Sequence, residues 1–231
     1  MRHAIYYAPP AGSTLHRLGS SWLGRDAVSD EAVRQPYIEG ISDVTAEPAR
    51  YGLHATLKPP FATNAGMKRV ELGDAVALIA SQMETVCIPR LVLREIDGFL
   101  ALVPEQPDTA LAFLAEICVC GLDVFRAPPD EAELQRRRAA NLTPRQEQHL
   151  VKWGYPYVLD EFQFHMTLTR RLRDGERQAY MKAAQAHFAP VLEQAIAVDA
   201  LTIFAETRAS QNFVVEERFA LRQLDGIRVA S

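Results

Sequence analysis

Basic residues are not in excess in this sequence. Lys and Arg number 25 against 29 Asp and Glu, a formal net charge of −4. A general nucleic-acid binder needs a cationic surface to displace counterions from phosphates, so that class is disfavoured; a compact phosphate ester held by a few local cations is not. Cysteine is scarce as well. Cys87, Cys118 and Cys120 are odd in number, so no disulfide framework is expected. The single residue between Cys118 and Cys120 matches neither a zinc nor a thioredoxin spacing, and their apolar neighbours suit buried small hydrophobes. No apolar run approaches the roughly 18 residues of a membrane span. The N-terminus reads as a short strand rather than a secretory signal. A chain in a reducing cytoplasm, with no membrane partner, is the expectation. Hydrophobic residues at 48% and charged residues at 23% leave core enough to fold without staples.

What the sequence does contain is one short pattern used twice: Gly52-Leu53-His54-Ala55-Thr56-Leu57 and Gln163-Phe164-His165-Met166-Thr167-Leu168. Each copy is an apolar residue, a histidine, one spacer, a threonine and a leucine. With 6 histidines and 11 threonines in the chain, chance gives about 0.3 such spacings, so two in matched context are informative where one would not be. Alternation indicates strands. Phe162, Phe164, Met166 and Leu168 share one face, and Gln163, His165, Thr167 and Thr169 the other. In the first copy Leu53, Ala55 and Leu57 alternate with Gly52, His54, Thr56 and Lys58, and Pro59-Pro60 ends the run. On a strand each histidine and its threonine point the same way, so each copy offers an imidazole and a hydroxyl to a cleft.

Around these runs the pattern predicts a strand over His3–Ala8, a helix over Ser13–Leu23 and a polar, irregular segment over Val28–Arg50, the expected mobile loop. A helix over Met67–Met83 follows, then a hairpin of Cys87–Arg94 and Phe99–Val103 turning through Asp97-Gly98. Next come a long helix over Thr109–Phe125, a helix over Glu176–Leu192, and a closing strand pair, Ala197–Ala205 and Phe213–Leu221, around Ser210-Gln211-Asn212. Residues 127–157 differ in character. Asp130 with Glu133, and Thr143 with Gln146 and Pro144, mark the starts of two short helices joined at Asn141-Leu142. This insert can cover a cleft as a lid. Its Arg136-Arg137-Arg138 run reads as a solvated helix face. The two halves rhyme, strand–helix–histidine strand–helix–two strands, with a helix and the insert opening the second. The expectation is α+β: one bilobal domain over 1–231, two pseudo-symmetric lobes each with an antiparallel sheet and flanking helices around a central groove.

Two imidazoles facing one phosphorus can divide the labour of in-line displacement. A neutral ring takes a proton from water while the opposing imidazolium gives one to the leaving oxygen, and histidine suits both roles near neutrality. Thr56 and Thr167 can bond non-bridging oxygens. Lys58, on the expected face of His54, would add charge, and Thr169 and Tyr6 are further candidate groove residues. His3, His16, His149 and His187 have no threonine context and read as surface or structural. The chemistry demands no metal and no cofactor.

The paired His54-Ala55-Thr56-Leu57 and His165-Met166-Thr167-Leu168 resemble the motifs of the 2H phosphoesterase superfamily. The longer phrases Tyr51-Gly52-Leu53-His54-Ala55-Thr56-Leu57-Lys58-Pro59-Pro60-Phe61, Trp153-Gly154-Tyr155-Pro156-Tyr157 and Trp22-Leu23-Gly24-Arg25-Asp26 are similar to a branch associated with bacterial phosphonate-utilisation operons. The resemblance implies a bilobal α+β fold and metal-independent opening of cyclic phosphodiesters. It also implies acid–base roles for His54 and His165, phosphate contacts for Thr56 and Thr167, and a cyclic sugar phosphate as substrate. The alternatives are a 2′,3′-cyclic phosphodiesterase for RNA ends or nucleotides, with Arg170, Arg171 and Arg173 supplying charge, and a non-catalytic module binding a phosphate ester. The residues do not say which histidine is acid and which is base.

Overall fold

The computed structural model describes residues 1–207 and 211–223. Nine strands and seven α-helices are named within them. In chain order these are β1 (Arg2–Tyr7), α1 (Thr14–Leu23), α2 (Ile41–Ala49), β2 (Ala55–Ala62), α3 (Arg69–Gln82), β3 (Val86–Ile88), β4 (Leu91–Ile96) and β5 (Phe99–Pro104). Then follow α4 (Thr109–Gly121), α5 (Glu131–Arg138), α6 (Pro144–Trp153), β6 (Met166–Thr167), α7 (Arg177–Leu192), β7 (Ile196–Val198), β8 (Ala200–Glu206) and β9 (Phe213–Ala220). The fold is α+β. Seven strands form an antiparallel sheet in the order β4-β5-β6-β2-β1-β8-β9, and β3 pairs with β7 antiparallel in a second, two-stranded sheet.

One face of the large sheet is the main core. Ile5 and Tyr7 of β1, Ala55 and Leu57 of β2, Leu100 and Leu102 of β5, and Met166 pack there with Leu111, Leu114 and Cys118 of α4 and Tyr180, Ala184 and Phe188 of α7. The period-2 alternation of the strands and the helical spacing of α4 and α7 meet in one apolar layer, which is the dominant stabilising term. The opposite face carries a smaller cluster of Ala4, Tyr6, Ala8, Ala27, Phe204 and Phe213. The two histidines belong to that second face.

Helix starts follow their sequence signals. The Ser13 hydroxyl accepts the His16 N–H, the Asp130 carboxylate accepts the Glu133 N–H, and Thr143 and Gln146 form a reciprocal box with Pro144 at the first position. Asp97 and Gly98 both take positive φ (46° and 88°), the requirement of a two-residue hairpin turn between β4 and β5. Ser210 of the expected closing turn lies outside the described residues.

Five expectations are corrected. Pro59-Pro60 does not end the first histidine run, because β2 continues through both prolines to Ala62 and pairs there with β1. Residues 28–50 are not loop throughout, because α2 occupies Ile41–Ala49. Its buried Ile41, Val44, Thr45 and Pro48 fall at i, i+3, i+4 and i+7; Pro48 has no N–H for the Val44 carbonyl, which accepts the Arg170 N–H at 2.7 Å instead. Gln35 ties the preceding segment down, its amide donating to the Trp22 carbonyl and the Thr45 hydroxyl at 2.9 Å each. Cys87 belongs to β3 rather than to the hairpin. Cys120 is exposed on α4, although Cys118 is buried and its thiol is pushed up to about 12 by that burial. The second histidine run forms a ladder only at Met166-Thr167; Leu159–Glu161 upstream is a 3₁₀ turn.

Buried hydrogen bonds fix the chain on either side of the first histidine run. The Arg25 guanidinium is nearly enclosed; it meets Asp30 at 2.6 Å and donates to the carbonyls of Ala49 (2.9 Å), Arg50 (3.3 Å) and Phe213 (2.8 Å). It thus holds the end of α2 and the start of β9 together, just ahead of His54. Arg25→Ala leaves these acceptors unpaired and is expected to cost about 3 kcal/mol, read as a lowered urea midpoint at unchanged slope.

Candidate active site

β2 and β6 lie side by side, with Ala55 opposite Met166. Extending that antiparallel register by one residue places His54 across from Thr167 and His165 across from Thr56. The two imidazoles therefore occupy one diagonal of a four-residue patch and the two threonines the other. Diagonal neighbours on a sheet are about 7–8 Å apart at the backbone, a span that leaves a tetrahedral group room between two inward-reaching rings. All four side chains are half-buried, whereas Ala55, Leu57, Met166 and Leu168 are buried beneath. The alternation read from the sequence is the alternation of the sheet.

Both rings are locked in the same way. His54 Nδ1 lies 2.9 Å from the Gly52 carbonyl and His165 Nδ1 lies 2.8 Å from the Gln163 carbonyl, each two residues upstream. A carbonyl only accepts, so each Nδ1 carries the proton and each Nε2 is left as the working nitrogen. His54 is further fixed by Tyr6, whose ring stacks on it at 4.0 Å, and by Tyr51 at 5.7 Å; Phe99 flanks His165 at 5.8 Å. Burial pulls His54 down to about 4; the bond to Gly52 opposes this and the neighbouring His165 adds to it. Burial likewise lowers His165, against the pull of the Gln163 carbonyl. Both imidazoles are therefore neutral at pH 7 until an anion arrives to favour the charged form.

Three further candidates are not groove groups. Lys58 is 1% exposed and points to the other face. The β1–β2 ladder shifts register between Ile5 and Tyr6, so Tyr6 faces Thr56 but Ile5 faces Lys58; this bulge turns Lys58 onto the α4 side. There its ammonium donates to the Val119 carbonyl at 3.0 Å and lies 3.5 Å from Asp123, while burial lowers it to about 8. Thr169 is buried, and its hydroxyl accepts the Leu100 N–H at 3.0 Å. Tyr6 lies behind the His54 ring at 1% exposure, supporting it. Arg170, expected to lend charge near the second histidine, is engaged by Asp43 and Glu176. His3, His16, His149 and His187 bond instead to Thr63, Asp26, Asp160 and the Leu18 carbonyl.

Three groups to which the sequence reading gave no groove role stand at the His54 end. The Tyr6 phenol is raised well above its ordinary range by burial and by the Tyr51 and Tyr155 phenols, with Arg2 and Arg137 pulling the other way. Arg137, from the basic run read as solvated, turns inward, its guanidinium 4.6 Å over the Tyr155 ring. The Tyr51 and Tyr155 positions stood out in the sequence as parts of long phrases; nothing in the run of three arginines singled out Arg137. Among the described residues no group of three or more His, Cys, Asp or Glu is placed to hold a metal ion, and no helix is long and apolar enough to cross a membrane.

The architecture is thus an α+β sheet with two identically tethered histidines on adjacent strands. The chain belongs to the family described as protein of unknown function DUF1045, whose model matches residues 56–214. It is 38% identical over 226 residues to a ribose 1,5-bisphosphate phosphokinase PhnN from Janthinobacterium sp. (strain Marseille), and 35% identical over 215 residues to the protein of the same name from Laribacter hongkongensis (strain HLHK9). These alignments cover 94% and 92% of this chain but 50% of each relative, so the chain spans about half the length of the curated relatives it matches. Solved structures similar to it include a phosphoesterase (TM-score 0.45, 15% identity) and E. coli LigT complexed with 3′-AMP (TM-score 0.44, 16% identity). Each alignment covers 96% of this chain and 98% of the other, and likenesses at this level carry no argument about activity here.

Proposed function

We propose that this protein is a phosphodiesterase that opens a cyclic phosphodiester of a small molecule by two-histidine acid–base catalysis. The observation that carries the reading is the pair of matched tethers: His54 to Gly52 and His165 to Gln163, with both Nε2 atoms left for the groove. One neutral Nε2 removes a proton from the attacking water. The new P–O bond forms as the opposite P–O bond breaks, and the other ring, as imidazolium, gives its proton to the leaving alkoxide. Thr56 and Thr167, on the other diagonal, bond the non-bridging oxygens as charge builds on them. The product is a phosphate monoester with a free hydroxyl.

A cyclic sugar phosphate is the favoured substrate. The curated relatives are named for an enzyme of ribose 1,5-bisphosphate, and a cyclic phosphate bridging two hydroxyls of ribose opens to a ribose phosphate. The phosphokinase name belongs to proteins about twice this length, and that activity is not carried over. Turnover of ribose cyclic phosphates, a nucleoside 2′,3′-cyclic phosphate and a cyclic-phosphate-ended oligonucleotide, each with and without EDTA, tests the reading. Hydrolysis of the sugar ester, unaffected by EDTA, is expected. Tight binding with no turnover of any compound would replace the enzyme by a binding module.

The pH dependence follows from the lowered imidazoles. Activity needs one ring neutral and one protonated. In the free protein that state is most populated between the two histidine values, both below the ordinary 6.5. A bound phosphate anion raises both. The optimum of kcat/KM is therefore expected at a more acid pH than the optimum of kcat, each profile bell-shaped.

A further inference from the structure

We propose that Arg137, carried by the helical insert, is the substrate's second-anion clamp, so that the preferred ester bears a phosphate monoester besides the cyclic phosphate. This deepens the phosphodiesterase reading and rests on it for the position of the cyclic group. The geometry begins with α5. None of its residues is buried, and Arg136 beside Arg137 is 68% exposed, whereas the Arg137 side chain is 23% exposed and lies over the Tyr155 ring. Its Nε–H is buried with no partner. A buried N–H without an acceptor is costly, and on a guanidinium the group that relieves it best is an anion's oxygen.

The surroundings fit such an anion. The Arg137 guanidinium sits 4.6 Å over the Tyr155 ring, which orients the fork. Among the described residues its carboxylate contact is a long one, 3.4 Å from Nη2 to Glu133 on the same helix. Arg2 and Arg50, two further cations of this corner, both face Glu206, Arg2 through bonds of 2.6 and 2.9 Å and Arg50 at 3.8 Å. The Tyr155 and Tyr6 phenols lie within the field of Arg137. Tyr6, whose phenol feels the Arg137 charge, is stacked on His54 at 4.0 Å, which ties the clamp to the His54 end of the site. The insert is itself secured through α6, where Arg138 meets Glu147 at 2.7 Å and His149 and Arg145 meet Asp160.

The test compares ribose 1,2-cyclic phosphate with and without a 5-phosphate. In the wild type the 5-phosphorylated ester should have the higher kcat/KM by about 30-fold, the scale of one desolvated charge-assisted contact. Arg137→Met should bring the ratio to within about threefold of one, Arg137→Lys should keep part of it, and Arg136→Ala, equal in charge change, should keep all of it. A ratio unchanged in Arg137→Met, or an equal loss on both esters in Arg137→Met and Arg137→Lys, overturns the assignment. If the wild type turns over neither ester, the phosphodiesterase reading fails by itself, and equilibrium binding of the same two compounds decides the clamp. At least tenfold tighter binding of the 5-phosphorylated compound, lost in Arg137→Met, upholds it; equal binding of both ends it.

Discussion

His54→Ala and His165→Ala are each expected to lower kcat by between about 10² and 10⁴-fold, the range of a positioned acid or base. The double variant should fall little further, because the rings act as one unit and removing either leaves the other without its counterpart. The loss should sit in kcat more than in KM, since Thr56 and Thr167 still meet the phosphate. The fold survives. Neither ring hydrogen-bonds a distant element; each Nδ1 is tethered to a carbonyl two residues upstream. His54 even weakens the protein in acid. Its pKa is depressed in the folded state, so the stability associated with the neutral ring is full above 6.5 and lost as pH falls toward about 4. His54→Gln should therefore denature at lower pH than the wild type in an acid titration followed by circular dichroism. A variant lacking either imidazole that keeps full turnover would remove the catalytic reading altogether.

The candidate site was legible in the sequence wherever it depended on period-2 alternation and repetition. His54, Thr56, His165 and Thr167 share the groove face because alternation survives in both strands over those residues. Lys58 was misplaced for the same rule: a bulge adds one residue to the strand and inverts the phase of all that follows, and Lys58 lies just beyond it. Thr169 shares the parity of His165 and Thr167, but the ladder named β6 ends at Thr167, and beyond it the hydroxyl is taken by a backbone N–H. Helix α2 was masked by its two nearby prolines, although its i, i+3, i+4, i+7 burial was there to be read. Arg137 was out of reach. Three successive arginines differ only in which way the helix faces, and that is set by how α5 docks through α6 rather than by α5 itself.

Gly52→Ala is expected to lower kcat by about 10²-fold without touching a group that meets substrate. Gly52 has φ +70°, where an L side chain costs about 1–2 kcal/mol. A Cβ there would stand 2.5 Å from the Ala27 Cβ, so the backbone must move. The Gly52 carbonyl is the acceptor that fixes His54 Nδ1, and the same movement turns it away from the ring. The imidazole then loses its set tautomer as well as its aim. Tautomer and aim can be separated from mere instability by pairing Gly52→Ala with Ala27→Gly. The second change removes the colliding methyl, and the pair should recover most of the lost stability. The backbone strain at φ +70° and the displaced carbonyl remain, so kcat should recover less. The Nδ1 and Nε2 chemical shifts of His54, read by ¹⁵N NMR at neutral pH, should show a single Nδ1–H form in the wild type and a mixture in Gly52→Ala. An unmixed Nδ1–H form in Gly52→Ala together with normal kcat would mean that the glycine serves only the turn, and that the matched tether is not what prepares His54 for its role.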